Sequence, residues 1–290
     1  MSYYLVGVDG GGSKTHAMLF TPNHQLIGES FAGSANIRND LNGAYASITQ
    51  AINTLLEKYQ IDKNNLVIAL GVAGYSLLEA REQLYSRLCS IYPRVKMTSD
   101  GHLACLAAYR GQDGGVIICG TGVVTYIIKG GQTSQIGGWG FPHGDLGGAA
   151  YLGLEACKLL CQAIDQLIPW SGLLNEIYDK FAQDTLAYKN WLLKATSQQF
   201  AEIARMVLAY IDSDSNAANI YNAGVAQIDL LLNAIIKNNK GMPFSLMGGL
   251  AKFYYPCLHQ SFPQVSLCAI PPAVGGIYVS SLNPGLCRTL

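Results

Sequence analysis

The sequence has little charge, no excess of either sign and no long apolar run, and each absence argues against a class of protein. Only 13% of the 290 residues are charged, with 19 acidic and 19 basic side chains. A nucleic-acid binder usually carries a basic patch, and a disordered chain combines low hydrophobicity with high net charge. No stretch reaches the roughly 20 uninterrupted apolar residues of a membrane span. We therefore expect a folded protein that binds neither nucleic acid nor membrane.

Signs of export are also missing. The first residues, MSYYLVGVDGGG, contain no basic stretch and run directly into an apolar segment, unlike a signal peptide. The eight cysteines are scattered, and a chain of this size needs no disulfides to hold its core. We interpret the cysteines as reduced and predict a cytoplasmic protein.

What the sequence does contain is an order of elements that occurs twice. An apolar strand at residues 3–8 leads through a glycine turn to a second strand, a third strand and a helix at 43–59. The same order begins again near residue 115, and the chain length also suggests two domains. We predict an α/β protein with domains at 1–112 and 113–290. A closing helix at 273–282 is expected to pack on the first domain.

Three glycine turns stand at corresponding strand ends. Glycines let backbone N–H groups approach a phosphate closely, so together the turns predict a nucleotide site, although the first could alone be a plain hairpin turn. Asp9, at the end of the first strand, is a candidate Mg²⁺ ligand. The candidate nucleotide contacts are Gly10, Gly11, Gly12, Ser13, Lys14, Thr15, Gly120, Thr121, Gly122, Gly248, Gly249 and Ala251.

Further motifs carry a resemblance to a known family. They are G-V-A-G at 71–74, T-S-D-G at 98–101, G-T-G at 120–122 and G-G-W-G-F-P-H-G-D-L-G-G at 137–148. With the first glycine loop, their order and spacing resemble the BadF/BadG/BcrA/BcrD-type ATPases over essentially the whole chain, and within them the N-acetylglucosamine and glucosamine kinases. The resemblance implies two ribonuclease-H-like domains of the actin–hexokinase–Hsp70 fold. It also implies that ATP, Mg²⁺ and an amino-sugar bind in the cleft between these domains.

The resemblance assigns roles to three polar residues. Asp100 would be the catalytic base and a sugar contact, Asp145 would bind sugar hydroxyls, and Asn36 would bond the sugar through its amide. Each has a structural alternative, because Asp is a favoured N-cap and both aspartates precede helices, while Asn36 could simply be a turn residue.

The tryptophan motif would also reach the sugar. By resemblance, Gly138, Trp139 and Gly140 bring backbone and an indole face to it, although Trp139 could instead be plain packing. Val123, Val124 and Leu146 stand where the sugar kinases carry polar residues, which leaves the exact acceptor open.

The expected activity is ATP-dependent phosphorylation of an amino-hexose, first N-acetylglucosamine at its C6 hydroxyl, with glucosamine as the alternative. Two other functions remain open at this stage: an ATPase activator of a 2-hydroxyacyl-CoA dehydratase, and a non-catalytic sugar sensor that keeps the fold. The expected partners are ATP and the sugar; the oligomeric state is open, with a homodimer as the candidate assembly.

Overall fold

A computed structural model describes residues 3–281. Within them, ten strands form two five-stranded sheets: β1 (Tyr4–Gly10), β2 (Thr15–Phe20), β3 (Leu26–Ala32), β4 (Leu66–Val72), β5 (Val95–Ser99), β6 (Gly114–Cys119), β7 (Val123–Lys129), β8 (Gln132–Gly137), β9 (Phe244–Met247) and β10 (Val265–Leu267). The α-helices of the same residues are α1 (Leu41–Tyr59), α2 (Leu78–Cys89), α3 (Asp100–Tyr109), α4 (Ala149–Ile164), α5 (Gly172–Asp179), α6 (Thr185–Leu192), α7 (Ser197–Ala209), α8 (Ser215–Asn238), α9 (Ala251–Ser261) and α10 (Gly276–Ser281).

The first sheet has the order β3-β2-β1-β4-β5. Its first three strands are antiparallel neighbours, whereas β4 and β5 run parallel to β1. The register aligns Gly10 with Val72 and Val72 with Ser99. The carboxyl ends of β1, β4 and β5 therefore meet at one edge, and this edge carries Asp9 and Asp100.

The second sheet repeats the first. Its order, β10-β9-β6-β7-β8, is the same arrangement once β6 to β10 are matched with β1 to β5. The duplicated strand pattern predicted from the sequence is therefore confirmed. The two halves differ in what separates the third strand from the fourth: α1 and a short 3-10 turn in the first half, and the five helices α4 to α8 in the second.

The chain divides into two compact units. Among the described residues, the first unit comprises 3–116, 126–134 and 269–281, and the second comprises 117–125 and 135–268. In the first unit, apolar residues of β1, β2 and β4 pack against the buried face of α1 around Ile48 and Ile52. Helix α10 lies against β1, β4 and α3. The turn at 272–275 that precedes α10 approaches β1 so closely that a Cβ on Gly7 would lie 2.0 Å from the Ala273 carbonyl oxygen.

The elements differ from the sequence expectation in two places. Helix α6 was not expected, because of its eight residues only Tyr188 is buried and the apolar periodicity is weak. The closing segment begins with a 3-10 turn at Pro272–Gly275 before α10, and residue 282 of the expected helix lies outside the described residues. None of the helices within residues 3–281 has the length and apolarity that crossing a bilayer requires.

Candidate active site

Two aspartates meet at the carboxyl edge of the first sheet. Burial, and then the nearby charge of Asp100, raise the pKa of Asp9 to about 7, while Lys14 opposes this rise. Burial also raises the pKa of Asp100, against the backbone N–H groups that bond to its carboxylate. Two carboxyl groups so close together resist ionising at the same time, because like charges disfavour each other. The edge therefore suits a proton acceptor that works near neutral pH, or a cation.

Asp100 does not cap α3, although its position in the sequence allowed that role. The N-cap of α3 is Ser99, whose Oγ accepts the N–H of His102 at 3.1 Å. Asp100 is the first residue of the helix, and its Oδ1 accepts the N–H of Gly101 at 2.9 Å. His102 turns away, since its Nδ1 pairs with the Thr98 hydroxyl at 2.8 Å. The carboxylate of Asp100 is thus anchored by backbone and is not used to cap α3.

The first glycine loop has an open tip. The Gly11 N–H donates to the Lys14 carbonyl at 3.0 Å, which closes the turn. A Cβ on Gly12 would meet nothing within 4 Å, so a ligand could approach its backbone. Ser13 and Lys14 are exposed beside it, and Lys14 Nζ lies 5.4 Å from the centre of the Phe31 ring.

Thr15 does not fit its predicted role. Its side chain is fully buried, and its Oγ1 donates to the Gly33 carbonyl at 2.8 Å. This bond joins the loop to the residue that follows β3, so the hydroxyl is not available to a phosphate. The predicted nucleotide contact of Thr15 therefore does not fit the structure. Gly10 is also packed within the sheet, since a Cβ there would lie 3.1 Å from the Gly71 carbonyl oxygen.

Asn36 lies in the loop after β3 and is held beside the end of β4. Its Oδ1 accepts the Arg38 N–H at 3.0 Å, which is a turn contact. The Ile37 N–H donates to the Ala73 carbonyl at 3.1 Å, and a Cβ on Gly74 would lie 3.0 Å from Asn36 Oδ1. The turn interpretation is therefore correct for the Asn36 oxygen. Within residues 3–281 the Asn36 amide nitrogen has no hydrogen-bond partner, which leaves it available to a ligand.

In the second unit, the G-T-G turn and Asp145 form one cluster. Burial raises the pKa of Asp145, while the N–H groups of Val123 and Gly140 donate to its carboxylate and oppose the rise. Gly122 must be glycine here, because a Cβ would lie 2.3 Å from Asp145 Oδ2. Asp145 itself has φ +60°, a region that few residues other than glycine adopt. Gly148, and not Asp145, is the N-cap of α4, so the capping interpretation of Asp145 is wrong.

The loop that carries Trp139 packs next to Asp145. The Gly138 N–H donates to the Val123 carbonyl at 3.1 Å, and the Gly144 N–H donates to the Gly140 carbonyl at 2.7 Å. Trp139 is 86% exposed. An indole with that exposure does not belong to the core of its own unit, and its face is accessible to a ligand.

The third glycine turn joins β9 to α9. Gly248 has φ +94°, and the Leu250 N–H donates to the Cys119 carbonyl at 3.0 Å, which brings this turn beside the G-T-G turn. Cβ atoms on Gly120 and Gly249 would meet nothing within 4 Å. The predicted nucleotide contact of Ala251 does not fit the structure, because its side chain is buried and its N–H donates to the Gly248 carbonyl. Thr121, in contrast, is half-buried.

The residues at the first edge fit magnesium. Mg²⁺ is usually held by one or two carboxylates and completed by waters and substrate phosphates. Asp9 supplies such a carboxylate, with Asp100 as its neighbour, and no group of three or more His, Cys, Asp or Glu side chains with metal-binding geometry occurs in the part of the chain that is described. Asp9 is thus the residue that would hold the ion.

Tyr126 is a neighbour of Asp100 that the motifs do not include. It lies on β7, where Val123 and Thr125 are buried while Val124 and Tyr126 are only partly so. Strand alternation could have placed Val124 and Tyr126 on one face, but nothing in the sequence indicates that Tyr126 lies beside α3.

Comparison with known proteins places the chain among relatives. A sequence model of the BadF/BadG/BcrA/BcrD ATPase family matches residues 6–260. The chain belongs to this family. A glucosamine kinase of Vibrio cholerae serotype O1 is 28% identical over 87% of this chain and 86% of its own length. An N-acetylmuramic acid/N-acetylglucosamine kinase of Clostridium acetobutylicum is 26% identical over 85% of each chain.

Solved structures show the fold of this family member. A protein from Chromobacterium violaceum described as a candidate N-acetylglucosamine kinase superposes with a TM-score of 0.89 at 24% identity, over 96% of this chain and 98% of that one. A ROK family glucokinase from Streptomyces griseus, solved with glucose and AMPPNP, gives 0.61 at 15% identity, over 94% and 97%. The α/β fold of the actin–hexokinase–Hsp70 type, expected from the resemblance, is confirmed.

Proposed function

We propose that the protein transfers a phosphoryl group from ATP to an amino-hexose, with Asp100 as the catalytic base. The observation that carries this proposal is the anchored Asp100 carboxylate of raised pKa, beside Asp9 and at the same sheet edge as the first glycine loop. A general base works best when its pKa lies near the working pH. The kinase names of the relatives support the same reaction class.

Each residue then has a defined task. Asp100 takes the proton of the sugar hydroxyl as that oxygen attacks, and Asp9 holds the metal. Gly12, Ser13 and Lys14 present N–H groups, a hydroxyl and a positive charge to phosphate oxygens, whereas the Gly11 N–H is already bonded to the Lys14 carbonyl. When bound, Mg²⁺·ATP supplies the phosphoryl group and the neutralisation of charge that the transfer needs.

The second unit would supply recognition. Gly120 and Gly249 would present open backbone to the nucleotide, and Thr121, Gly122 and Gly248 would complete the two turns that carry them. Asp145 would accept hydrogen bonds from neighbouring sugar hydroxyls, a pairing that suits a carboxylate. Trp139 offers an apolar face to the pyranose ring, and the free amide of Asn36 in the first unit can donate to a sugar oxygen.

We place N-acetylglucosamine, phosphorylated at C6, ahead of glucosamine as the substrate. Val123 and Thr125 point into the core, and Val124 contacts the backbone of the tryptophan loop, where a Cβ on Gly138 would lie 3.0 Å from Val124 Cγ2. Next to this loop, β7 therefore presents the apolar side chain of Val124. An acetamido group suits that surface better than a free ammonium group does.

The test is a measurement of ADP release with Mg²⁺·ATP against a panel of acceptors. The panel contains N-acetylglucosamine, glucosamine, N-acetylmuramic acid, N-acetylmannosamine, glucose and no sugar. We expect turnover with N-acetylglucosamine, and mass spectrometry and NMR of the product should place the phosphate on O6. Turnover with glucosamine alone would correct the substrate and retain the reaction.

Two results would reject the kinase proposal. Sugar-independent ATP hydrolysis together with bound iron would favour the dehydratase activator. Sugar binding, seen by calorimetry, without turnover of any acceptor would favour the sensor.

A further inference from the structure

Tyr126 lies against the first turn of α3, the turn that carries Asp100. A Cβ on Gly101 would lie 1.9 Å from Cε2 of the Tyr126 ring, so the ring packs directly on the Gly101 backbone. Burial and then the nearby charge of Asp100 raise the pKa of Tyr126 to about 12. The phenol is therefore neutral at physiological pH and lies within electrostatic reach of the Asp100 carboxylate.

The hydroxyl of Tyr126 makes a second connection to the same turn. It hydrogen bonds with the side chain of Ser99, whose Oγ also accepts the N–H of His102. A serine hydroxyl can donate one hydrogen while it accepts another. Ser99 can thus cap α3 with a lone pair and donate its proton to the phenol oxygen, an arrangement that opposes the rise in the Tyr126 pKa.

The two contacts flank the group that orients the base. Asp100 Oδ1 accepts the N–H of Gly101, the residue that lies under the ring, and Ser99 directly precedes Asp100. We propose that Tyr126 is a positioning residue for Asp100: its ring fixes Gly101, its hydroxyl fixes Ser99, and the two together set the direction of the carboxylate. This inference rests on the proposed function, because it assigns Tyr126 to the reaction of Asp100.

The first test compares two Tyr→Phe variants at opposite ends of α3: Tyr126, which packs on its first turn from β7, and Tyr109, its last residue. Tyr126→Phe removes the hydroxyl near Asp100, whereas Tyr109→Phe removes one that donates to the Gly115 carbonyl at 3.1 Å from the other end of α3. Small errors in the orientation of a reacting group are costly, so we expect Tyr126→Phe to lower kcat by about tenfold while both KM values stay within about twofold. Tyr109→Phe should leave kcat and KM unchanged. Equal kcat values in the two variants would overturn the proposal.

A double-mutant cycle tests the route through Ser99. Ser99→Ala should lower kcat as Tyr126→Phe does, and the double variant should lose no more than about twofold beyond the worse single variant. Ser99→Thr keeps the hydroxyl and should restore most of the turnover. Losses that multiply in the double variant would show that the two residues act separately and would contradict the proposal.

Hydrogen exchange gives a readout that does not depend on activity. Peptides covering residues 98–104 should exchange faster in Tyr126→Phe than in the wild-type protein or in Tyr109→Phe. Unchanged protection would refute the positioning contact even in an active enzyme. If the wild-type protein phosphorylates no acceptor, the proposed function fails, whereas the exchange result still decides whether Tyr126 fixes this turn.

Discussion

The two sheets share one strand order, yet their edges carry different chemistry. The first sheet ends in two aspartates of raised pKa. The second unit offers glycines with open faces, an exposed tryptophan and one aspartate that is bonded by backbone N–H groups. We propose that the duplicated fold places the proton and metal chemistry in the first half and most of the sugar and nucleotide recognition in the second.

The glycine turns of the two halves differ in how much open backbone they present. In the first half, Thr15 and Gly10 are fixed by the sheet, and only the tip of the loop is open. In the second half, two turns lie side by side, with open faces at Gly120 and Gly249. Variants in the first half should therefore change turnover, and variants in the second half should change binding.

The largest expected effect is that of Asp100→Asn. Asn cannot take the hydroxyl proton, and loss of a general base typically lowers turnover by about 10² to 10⁴-fold, so kcat should fall in that range. Steady-state kinetics and ATP binding by calorimetry would check this. Asp113→Asn is the matched control, because the Asp113 carboxylate is exposed and accepts the Gly130 N–H at 3.0 Å. Near-normal kcat in Asp100→Asn would rule Asp100 out as the base.

Asp145→Ala, in the second unit, should mainly weaken sugar binding. Loss of hydrogen bonds between sugar hydroxyls and a carboxylate costs about 1.5 to 3 kcal/mol, so the KM for the sugar should rise by about 10 to 100-fold with a smaller change in kcat. Thr125→Val is the control, since the fully buried Thr125 hydroxyl has no partner in the described part of the chain. An unchanged sugar KM in Asp145→Ala would remove Asp145 from recognition.

Much of the fold could be predicted from the sequence. Apolar runs that end in glycine turns identified most strands, and their repetition indicated the duplicated sheet. Helix α6 could not be predicted from periodicity, because it buries only Tyr188. Its local signal was Asp184, which caps it by accepting the N–H groups of Leu186 and Ala187.

The candidate site was predictable where motifs fix the backbone, and unpredictable where side chains choose between partners. T-S-D-G placed Asp100 at a strand end, but which of Ser99 and Asp100 caps α3 depends on side-chain direction. The sequence likewise could not reveal that Gly33 takes the Thr15 hydroxyl, or that Tyr126 reaches α3 from a distant strand. Such contacts are made by tertiary packing and leave no local pattern.

A smaller effect is expected on stability, and it has opposite signs in the two halves. Asp9 holds its proton up to about pH 7 in the folded protein, but releases it near 3.8 when unfolded. Its contribution therefore favours folding at low pH and is lost as the pH rises from about 4 to 7. Asp9→Asn should raise the unfolding free energy of the metal-free, ATP-free protein by about 2 to 4 kcal/mol at pH 8, since a pKa change of one corresponds to about 1.4 kcal/mol. The gain should shrink as the pH falls towards 4.

Urea unfolding in a chelator at several pH values would measure this gain, with Asp113→Asn as the control. A gain of equal size at every pH would show that the charge of Asp9 is not its source.

The smallest effect is expected at Asp214, an aspartate of the second unit whose pKa is shifted in the opposite direction to that of Asp9. Although burial raises the pKa of Asp214, hydrogen bonds from the Ser171 hydroxyl and from backbone N–H groups outweigh it and lower the pKa overall. Asp214 caps α8 and also accepts the Leu173 N–H at 2.9 Å from α5. Its stabilisation is present above the unfolded pKa and is lost as the pH falls through the folded one.

Asp214→Asn keeps an acceptor oxygen but loses the charge, so it should lower stability by about 1 kcal/mol at pH 7. This loss of stability should shrink as the pH approaches 4. Asp9→Asn has the opposite sign, since it is expected to raise stability at high pH. Thermal unfolding at pH 7, 5 and 4 would measure this, with the exposed Asp212→Asn as the control. A deficit that stays constant with pH would mean that shape, and not charge, sets the value of this cap. The charge of Asp214 would then not stabilise the fold, and the expected opposite effects of charge at Asp9 and Asp214 would be wrong for Asp214.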